Sequence, residues 1–263
     1  MSETDKLAIL ERHALEANDA ADFDTEYYSK HRTRFARTLG MVPDARPGAC
    51  ALELGCTGLF QVALARLFGY ADVRGSLLSS DVADKLRRRV FSAGPLSAET
   101  LTVSLDLEHE LFPFEQGTID LVMCCEVIEH MDIDPMFMLT EVNRICRDNA
   151  TLLVSTPNCC SSRNYWKIAH GWRPHFFMQY ERVRSPHRHN IEWDIHGLAT
   201  MVRAAGFTID RLETEDVFEP TMPEALALLE RSGLPTDHRG DCIFLLAHKT
   251  SSVIDRWPEG IYV

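Results

Sequence analysis

A chain of 263 residues is long enough to bury a full core and fits one large domain. Its apolar and charged fractions, 45% and 25%, are ordinary for a globular protein, and no apolar run approaches the ~18–20 residues needed to cross a bilayer. Twenty-seven basic against thirty-nine acidic residues leave a net charge of −12. That balance argues against DNA or long RNA as a substrate, because affinity there comes from neutralising phosphates.

Met1 to Glu16 mixes acids and bases among its apolar residues and lacks the uninterrupted apolar core of a secretory signal. The eight cysteines are dispersed or adjacent, as in Cys124-Cys125 and Cys159-Cys160, with no C-x-x-C spacing. Both features point to a cytoplasmic location and reduced thiols.

Ser2 to Leu39 reads as helix, ended by Pro43, Pro47 and Gly48. From Ala49 short apolar runs alternate with helical patterns. ACALELG is a strand, Phe60 to Phe68 a helix, ADVRGSL a strand and Val82 to Phe91 a helix. TLTVSLD and TIDLVMC follow as strands, then a helix from Pro135 to Arg147 and the strand ATLLVST. A helix from Asp194 to Ala205 stops at Gly206, and FTIDRLET and DCIFLLAHK look like closing strands. This β-α-β alternation implies an α/β fold, a mostly parallel sheet with helices on both faces. The irregular stretch from Pro157 to Asn190 is too long for an ordinary connection.

The first strand runs into Glu53-Leu54-Gly55-Cys56-Thr57-Gly58-Leu59-Phe60, an acid at a strand end followed by a Gly-bearing turn that opens a helix. Glycines there let backbone approach a ligand outside the carboxyl ends of the strands, although such turns also occur for packing reasons. Further on the chain reads Asp106-Leu107-Glu108, then Phe112-Pro113-Phe114, then Thr118-Ile119-Asp120-Leu121-Val122-Met123-Cys124-Cys125-Glu126-Val127-Ile128-Glu129-His130-Met131. After one helix comes Leu152-Leu153-Val154-Ser155-Thr156-Pro157-Asn158.

Over about Cys50 to Leu212 this ordered set resembles the class I S-adenosylmethionine (SAM)-dependent methyltransferases. The branch it resembles includes the ubiquinone-biosynthesis O-methyltransferases and many bacterial sugar and natural-product methyltransferases. The resemblance implies a Rossmann-like, seven-stranded sheet over 43–263, an N-terminal helical lid over 1–42 and an acceptor-binding insertion over 158–193. It implies that Glu53, Gly55, Cys56 and Gly58 surround the methionine part of SAM. Asp106 and Leu107 would meet the adenine, and Cys125 would lie near the amino-acid end. Tyr27, Tyr28 and Arg32 resemble lid residues, with core packing as the alternative for the two tyrosines. Two departures stand out. Thr57 or a one-residue deletion narrows the glycine turn, and Leu77 stands at the second strand's end, where an acid normally holds the ribose hydroxyls. Ser76, Ser79 or Asp81 are the substitutes at hand.

Glu126, Glu129 and His130 are spaced i, i+3, i+4, so a helical turn would project all three from one face. Two carboxylates and an imidazole can hold a divalent cation such as magnesium (Mg2+) or manganese, with His187 or His189 as an added ligand. The pattern resembles the metal site of the ubiquinone O-methyltransferases and of small-RNA 2′-O-methyltransferases. The alternative makes Glu126 a hydrogen-bond acceptor in the cleft and His130 a base or structural residue.

Asn158 to Asn190 carries Arg163, Lys167, Arg173, Arg182, Arg184 and Arg188 against one acid, Glu181, with Tyr165, Trp166, Trp172, Phe176, Phe177 and Tyr180. Aromatic faces with arginine forks suit a glycan, a glycosyl phosphate or another polar small molecule. O-methylation of a hydroxyl calls for a base or a metal, and His130 and His189 are the candidates. The expected function is SAM-dependent O-methylation of a sugar, glycoside or polar natural product. A non-catalytic binding or regulatory protein on the same fold and a metal-dependent catechol or quinol O-methyltransferase are the alternatives. A homodimer is left open.

Overall fold

The computed structural model describes residues 8, 25–78, 86–93, 96–174, 182 and 188–263. Most of the helix expected before residue 25 lies outside the described residues. Helices α1 (Thr25–Lys30) and α2 (Arg32–Gly40) are followed by β1 (Cys50–Leu54), α3 (Leu59–Arg66), β2 (Asp72–Leu77), β3 (Leu86–Ala93), β4 (Leu96–Ser104) and β5 (Ile119–Cys125). A short 3-10 turn over Ile128–His130 leads to α4 (Pro135–Ile145), β6 (Cys146–Pro157), α5 (Ser162–Ala169), α6 (Ile195–Ala204), β7 (Phe207–Glu215), α7 (Pro223–Arg231) and β8 (Cys242–Lys249).

The strands form one sheet in the order β3-β4-β2-β1-β5-β6-β8-β7. The sheet therefore has eight strands, one more than expected, and the extra one is β3, where a helix was expected. Its eight residues pair antiparallel with β4 from Leu86 opposite Val103 to Ala93 opposite Leu96. Burial alternates, with Phe91 and Ala93 facing inward and Val90 exposed, which is strand periodicity. Three consecutive arginines, Arg87 to Arg89, sit on this outer strand, a composition that discourages further edge pairing.

All five residues of β1 are buried, and neighbours along the strands point to opposite faces. Leu52, Leu54, Val122 and Cys124 pack on one side with Met138, Leu139 and Val142 of α4 and Met201 and Val202 of α6. Ala51, Leu121, Met123 and Leu153 pack on the other with Phe35 and Leu39 of α2 and Leu59, Phe60 and Leu64 of α3. Helices thus cover both faces, which is why the central strands read as continuous apolar runs.

Asp134 caps α4 by accepting from the Phe137 amide at 3.1 Å, with Pro135 opening the helix. The C-terminal segment docks on the same cap. Tyr262 donates its hydroxyl to Asp134 at 2.7 Å and accepts from the Met136 amide at 2.9 Å, and Arg256 donates to Asp134 at 3.0 Å. Among the described residues no helix is long and apolar enough to cross a membrane.

Candidate functional site

The strand-to-helix turn after β1 is held together by the acid that precedes it. Glu53 is fully buried, and its Oε1 accepts from the Thr57 amide at 2.9 Å and the Thr57 hydroxyl at 3.1 Å. Thr57, a departure by sequence, is therefore the anchor of the turn. Glu53 Oε2 has no hydrogen-bond partner. Burial pushes this carboxyl up to about 7, against the stabilising Thr57 bonds and the charge of Arg34. The Gly55 amide reaches the Ser76 hydroxyl at 3.3 Å, and the Cys56 amide donates to the Ser76 carbonyl at 2.8 Å, so Ser76 braces the turn from β2. Gly55 has φ 64°, and a Cβ there would lie 2.8 Å from Val127 Cγ2, so only glycine fits.

Helix α2 brings a residue that the sequence reading missed. Arg34 is 1% exposed, donates to the Tyr27 hydroxyl at 3.0 Å and leaves Nε unpartnered. Burial disfavours its charge, but Glu126, Tyr27 and the neighbouring thiols together outweigh that effect and hold the guanidinium above its ordinary pKa. Arg34 also acts on Glu53 and Glu129, so one buried cation faces three carboxyl groups. The signal was available: Arg34 falls within the buried stripe Arg34, Phe35, Thr38, Leu39. Arg32 is exposed, and the side chain of Tyr28 lies outside the described residues. Burial raises the Tyr27 pKa.

The four expected metal ligands separate. Glu126 has φ 55°, an uncommon backbone state for a residue with a side chain, and its Oε1 accepts from the Ser155 hydroxyl at 2.8 Å. It belongs with Arg34 and Cys125 rather than with the histidines. The 3-10 turn after it, in place of an α-turn, accounts for the separation. Glu129, His130 and His189 offer ligand atoms that all lie within 4.8 Å of one another.

Glu129 is fully buried; Oε2 accepts from the Thr156 hydroxyl at 2.9 Å, and Oε1, without a hydrogen bond, lies 3.9 Å from His130 Nε2. Burial and the nearby Glu126 hold its carboxyl well above the usual range. His130 Nδ1 lies 3.1 Å from the Arg188 carbonyl, and His189 Nδ1 lies 3.2 Å from Glu192 Oε1. A carbonyl and a carboxylate only accept, so both Nδ1 atoms are the protonated ones and each neutral ring carries its lone pair on Nε2. Asn190 pins the segment by donating to the Glu129 carbonyl at 2.7 Å and the His130 carbonyl at 2.6 Å. His187 lies outside the described residues.

The side of the glycine turn that faces β2 and β3 is filled by apolar side chains. A Cβ on Gly58 would meet Phe91 Cδ1 at 2.7 Å, so the ring from β3 backs the turn. Leu77 packs against the cluster of Cys56, Phe91 and Ala98 and offers no hydrogen bond to a ribose. Ser79 and Asp81 lie outside the described residues. Asp106 accepts from the Glu108 amide at 3.0 Å and lies 3.1 Å from His109 Nδ1, while Leu107 packs on the core. Burial raises the thiol pKa of both Cys56 and Cys125.

Beyond the end of β6, α5, the segment before α7 and the start of α7 border an open, shallow groove of about 620 Å3 lined by Arg163, Trp166, Lys167, Glu219, Met222 and Glu224. Arg163 pairs with Glu219 across it. Of the other residues singled out between Asn158 and Asn190, Phe176, Phe177, Tyr180, Glu181 and Arg184 lie outside the described residues.

The family model described as a methyltransferase domain matches residues 23–212. A 37.1 kDa protein encoded in transposon Tn4556 of Streptomyces fradiae is 32% identical over 118 residues, 44% of this chain and 32% of that protein. The chain thus spans about a third of that relative's length. A SAM-dependent methyltransferase of Archaeoglobus fulgidus superposes with a TM-score of 0.55 at 17% identity, covering 85% of this chain and 98% of that one. One from Mesorhizobium loti gives 0.52 at 14% identity, covering 82% and 98%. Removing β3 from the strand order leaves the expected seven-stranded sheet, and the family model spans helices α1 and α2, the glycine turn and the Glu126 to His130 turn; the chain belongs to the methyltransferase domain family.

Proposed function

We propose that this protein is a SAM-dependent methyltransferase that methylates a hydroxyl of a sugar, glycoside or polar natural product. The observation that supports the cofactor assignment is a buried Glu53 Oε2 and a buried Arg34 Nε, both without a hydrogen-bond partner, on two side chains close enough to act on each other electrostatically. An acceptor for an ammonium and a donor for a carboxylate at one site match the zwitterionic amino-acid end of SAM. Bound SAM supplies an electrophilic methyl group, so the protein's own work is alignment, exclusion of water and handling of one proton. Glu53 and Arg34 orient the amino-acid end, Gly55 lets the backbone approach, and Tyr27 closes over them.

Proton removal from the acceptor hydroxyl falls to Nε2 of His130 or His189, whose Nδ1 partners fix the required tautomer. The same two Nε2 atoms with Glu129 Oε1 form a candidate site for a divalent cation, which would lower the pKa of a bound hydroxyl. Two imidazoles with one carboxylate suit zinc, manganese or iron better than magnesium, which prefers oxygen ligands. Kinship with the ubiquinone O-methyltransferase branch rests on the same Glu-x-x-Glu-His run. The groove at Arg163, Trp166 and Lys167 supports a polar acceptor, an indole face for a sugar ring and cations for an attached anion. Incubation with SAM, a divalent cation and a panel of glycosides, glycosyl phosphates and catechols should release S-adenosylhomocysteine with one acceptor class. Absence of turnover with all of them, despite measurable SAM binding, would reject the acceptor assignment.

A second reading is favoured by Leu77 and Phe91, which close the nucleoside side with the protein's own side chains. It makes the chain a non-catalytic member of the family. Isothermal titration separates the two, because that reading requires that neither SAM nor S-adenosylhomocysteine bind.

A further inference from the structure

Six of the eight cysteines are buried; Cys159 is half-buried and Cys160 exposed. These two are adjacent, follow β6 directly, and place their Sγ atoms 3.8 Å apart. Their backbone is pinned on both sides. The Cys159 amide donates to the Trp193 carbonyl at 2.9 Å, the Cys160 amide to Asn158 Oδ1 at 2.9 Å, and Arg239 donates to the Cys160 carbonyl at 3.0 Å. Two thiolates at ~2.3 Å from a shared tetrahedral centre stand about 3.8 Å apart, so the pair is spaced to bite one central atom.

Among the described residues neither sulfur belongs to a group of three metal-ligating side chains; the one such group is Glu129, His130 and His189. Two thiols without a third protein donor select a centre that brings its own remaining substituent. The hydrogen bond from Cys159, aided by Arg239, pulls the Cys160 thiol down to about 6, which supplies a nucleophilic thiolate at neutral pH.

We propose that Cys159 and Cys160 form a dithiol site that captures a monosubstituted trivalent arsenical, R–As(OH)2, as a cyclic dithioarsonite. Each thiol sulfur replaces one hydroxyl: two As–S bonds form, two As–O bonds and two S–H bonds break, two waters leave, and arsenic stays trivalent. The site uses none of the residues assigned above to cofactor, cation or base.

The test uses the reduced full chain and phenylarsine oxide in the presence of excess 2-mercaptoethanol, which strips singly bound arsenic. Intact-mass spectrometry should show one arsenical per chain, removed by 2,3-dimercaptopropanol and absent in Cys159→Ser and in Cys160→Ser. Retention of the adduct in either variant overturns the proposal. A measurement on the unaltered protein guards against misfolded variants. Peptide mapping after iodoacetamide should show Cys159 and Cys160 shielded by the arsenical, and shielding of Cys124 and Cys125 instead, or of no pair, also overturns it.

Discussion

Glu192 stands behind His189, its Oε1 3.2 Å from the ring Nδ1 on a side chain only 5% exposed. A buried carboxylate on the far nitrogen of a histidine fixes the ring and raises its basicity, and such partners are worth about 10- to 100-fold in metal affinity. Glu192→Ala should therefore weaken zinc or manganese binding by that factor in isothermal titration. Unchanged affinity would remove the Glu129, His130 and His189 group from consideration as a cation site.

Glu53 should show opposite effects on stability and on binding. Its pKa in the folded state, about 7, lies above the ordinary carboxylate value of 4.5. Below 4.5 both folded and unfolded chains hold the proton; between the two values only the folded chain does. Stability contributed by this group therefore falls as pH rises through that window, by about 3 kcal/mol once the pH passes 7. Glu53→Gln should raise Tm at pH 8 and weaken S-adenosylhomocysteine binding about ten- to hundredfold. A lower Tm at pH 8 with full binding would contradict both halves.

Leu77→Asp is expected to gain function. It restores an acid where β2 ends, and a ribose hydroxyl that finds a partner recovers on the order of 1–3 kcal/mol, about ten- to hundredfold in affinity. Isothermal titration with S-adenosylhomocysteine reads this directly. No gain, in a variant with unchanged Tm, would mean that Phe91 and Cys56 rather than the missing acid limit the nucleoside side.

Asp134 ties the C-terminal segment to α4. Burial alone would raise its pKa, but hydrogen bonds from Arg256 and Tyr262 outweigh that and lower it. The stability it contributes is therefore fully present above the ordinary carboxylate range and is lost as pH falls through the lowered value. Tyr262→Phe removes both hydrogen bonds of the hydroxyl, the one to Asp134 and the one from the Met136 amide, and should cost about 1–3 kcal/mol at pH 7 in urea denaturation. An equal cost at a pH low enough to protonate Asp134 would show that the linkage is not through this carboxylate.

The sheet and its two helical layers were legible because buried parallel strands are short apolar runs and helices carry a 3.6-residue period. Leu86 to Ala93 was not. Its arginines and lone aromatic fit either period, and only pairing with β4 decides, although Gly94-Pro95 was a turn signal between two strands. The glycine turn itself was readable because a strand that passes straight into a helix needs a tight turn, and Gly55 at φ 64° supplies it. Arg34 was passed over for Arg32, since two residues of helical rotation, about 200°, separate the buried face from solvent. Glu126 left the expected ligand group because a left-handed φ cannot be read from Cys-Cys-Glu-Val.

The strand β3 hydrogen-bonds to β4 alone, yet its Phe91 supplies the wall against which Gly58 rests. Outer strands detach from a sheet at lower free energy than inner ones, so this wall should lift as a unit ahead of global unfolding. Amide-exchange rates along 86–93 would then mark how often the nucleoside side of the cleft opens, and a nucleoside that settles there should slow them.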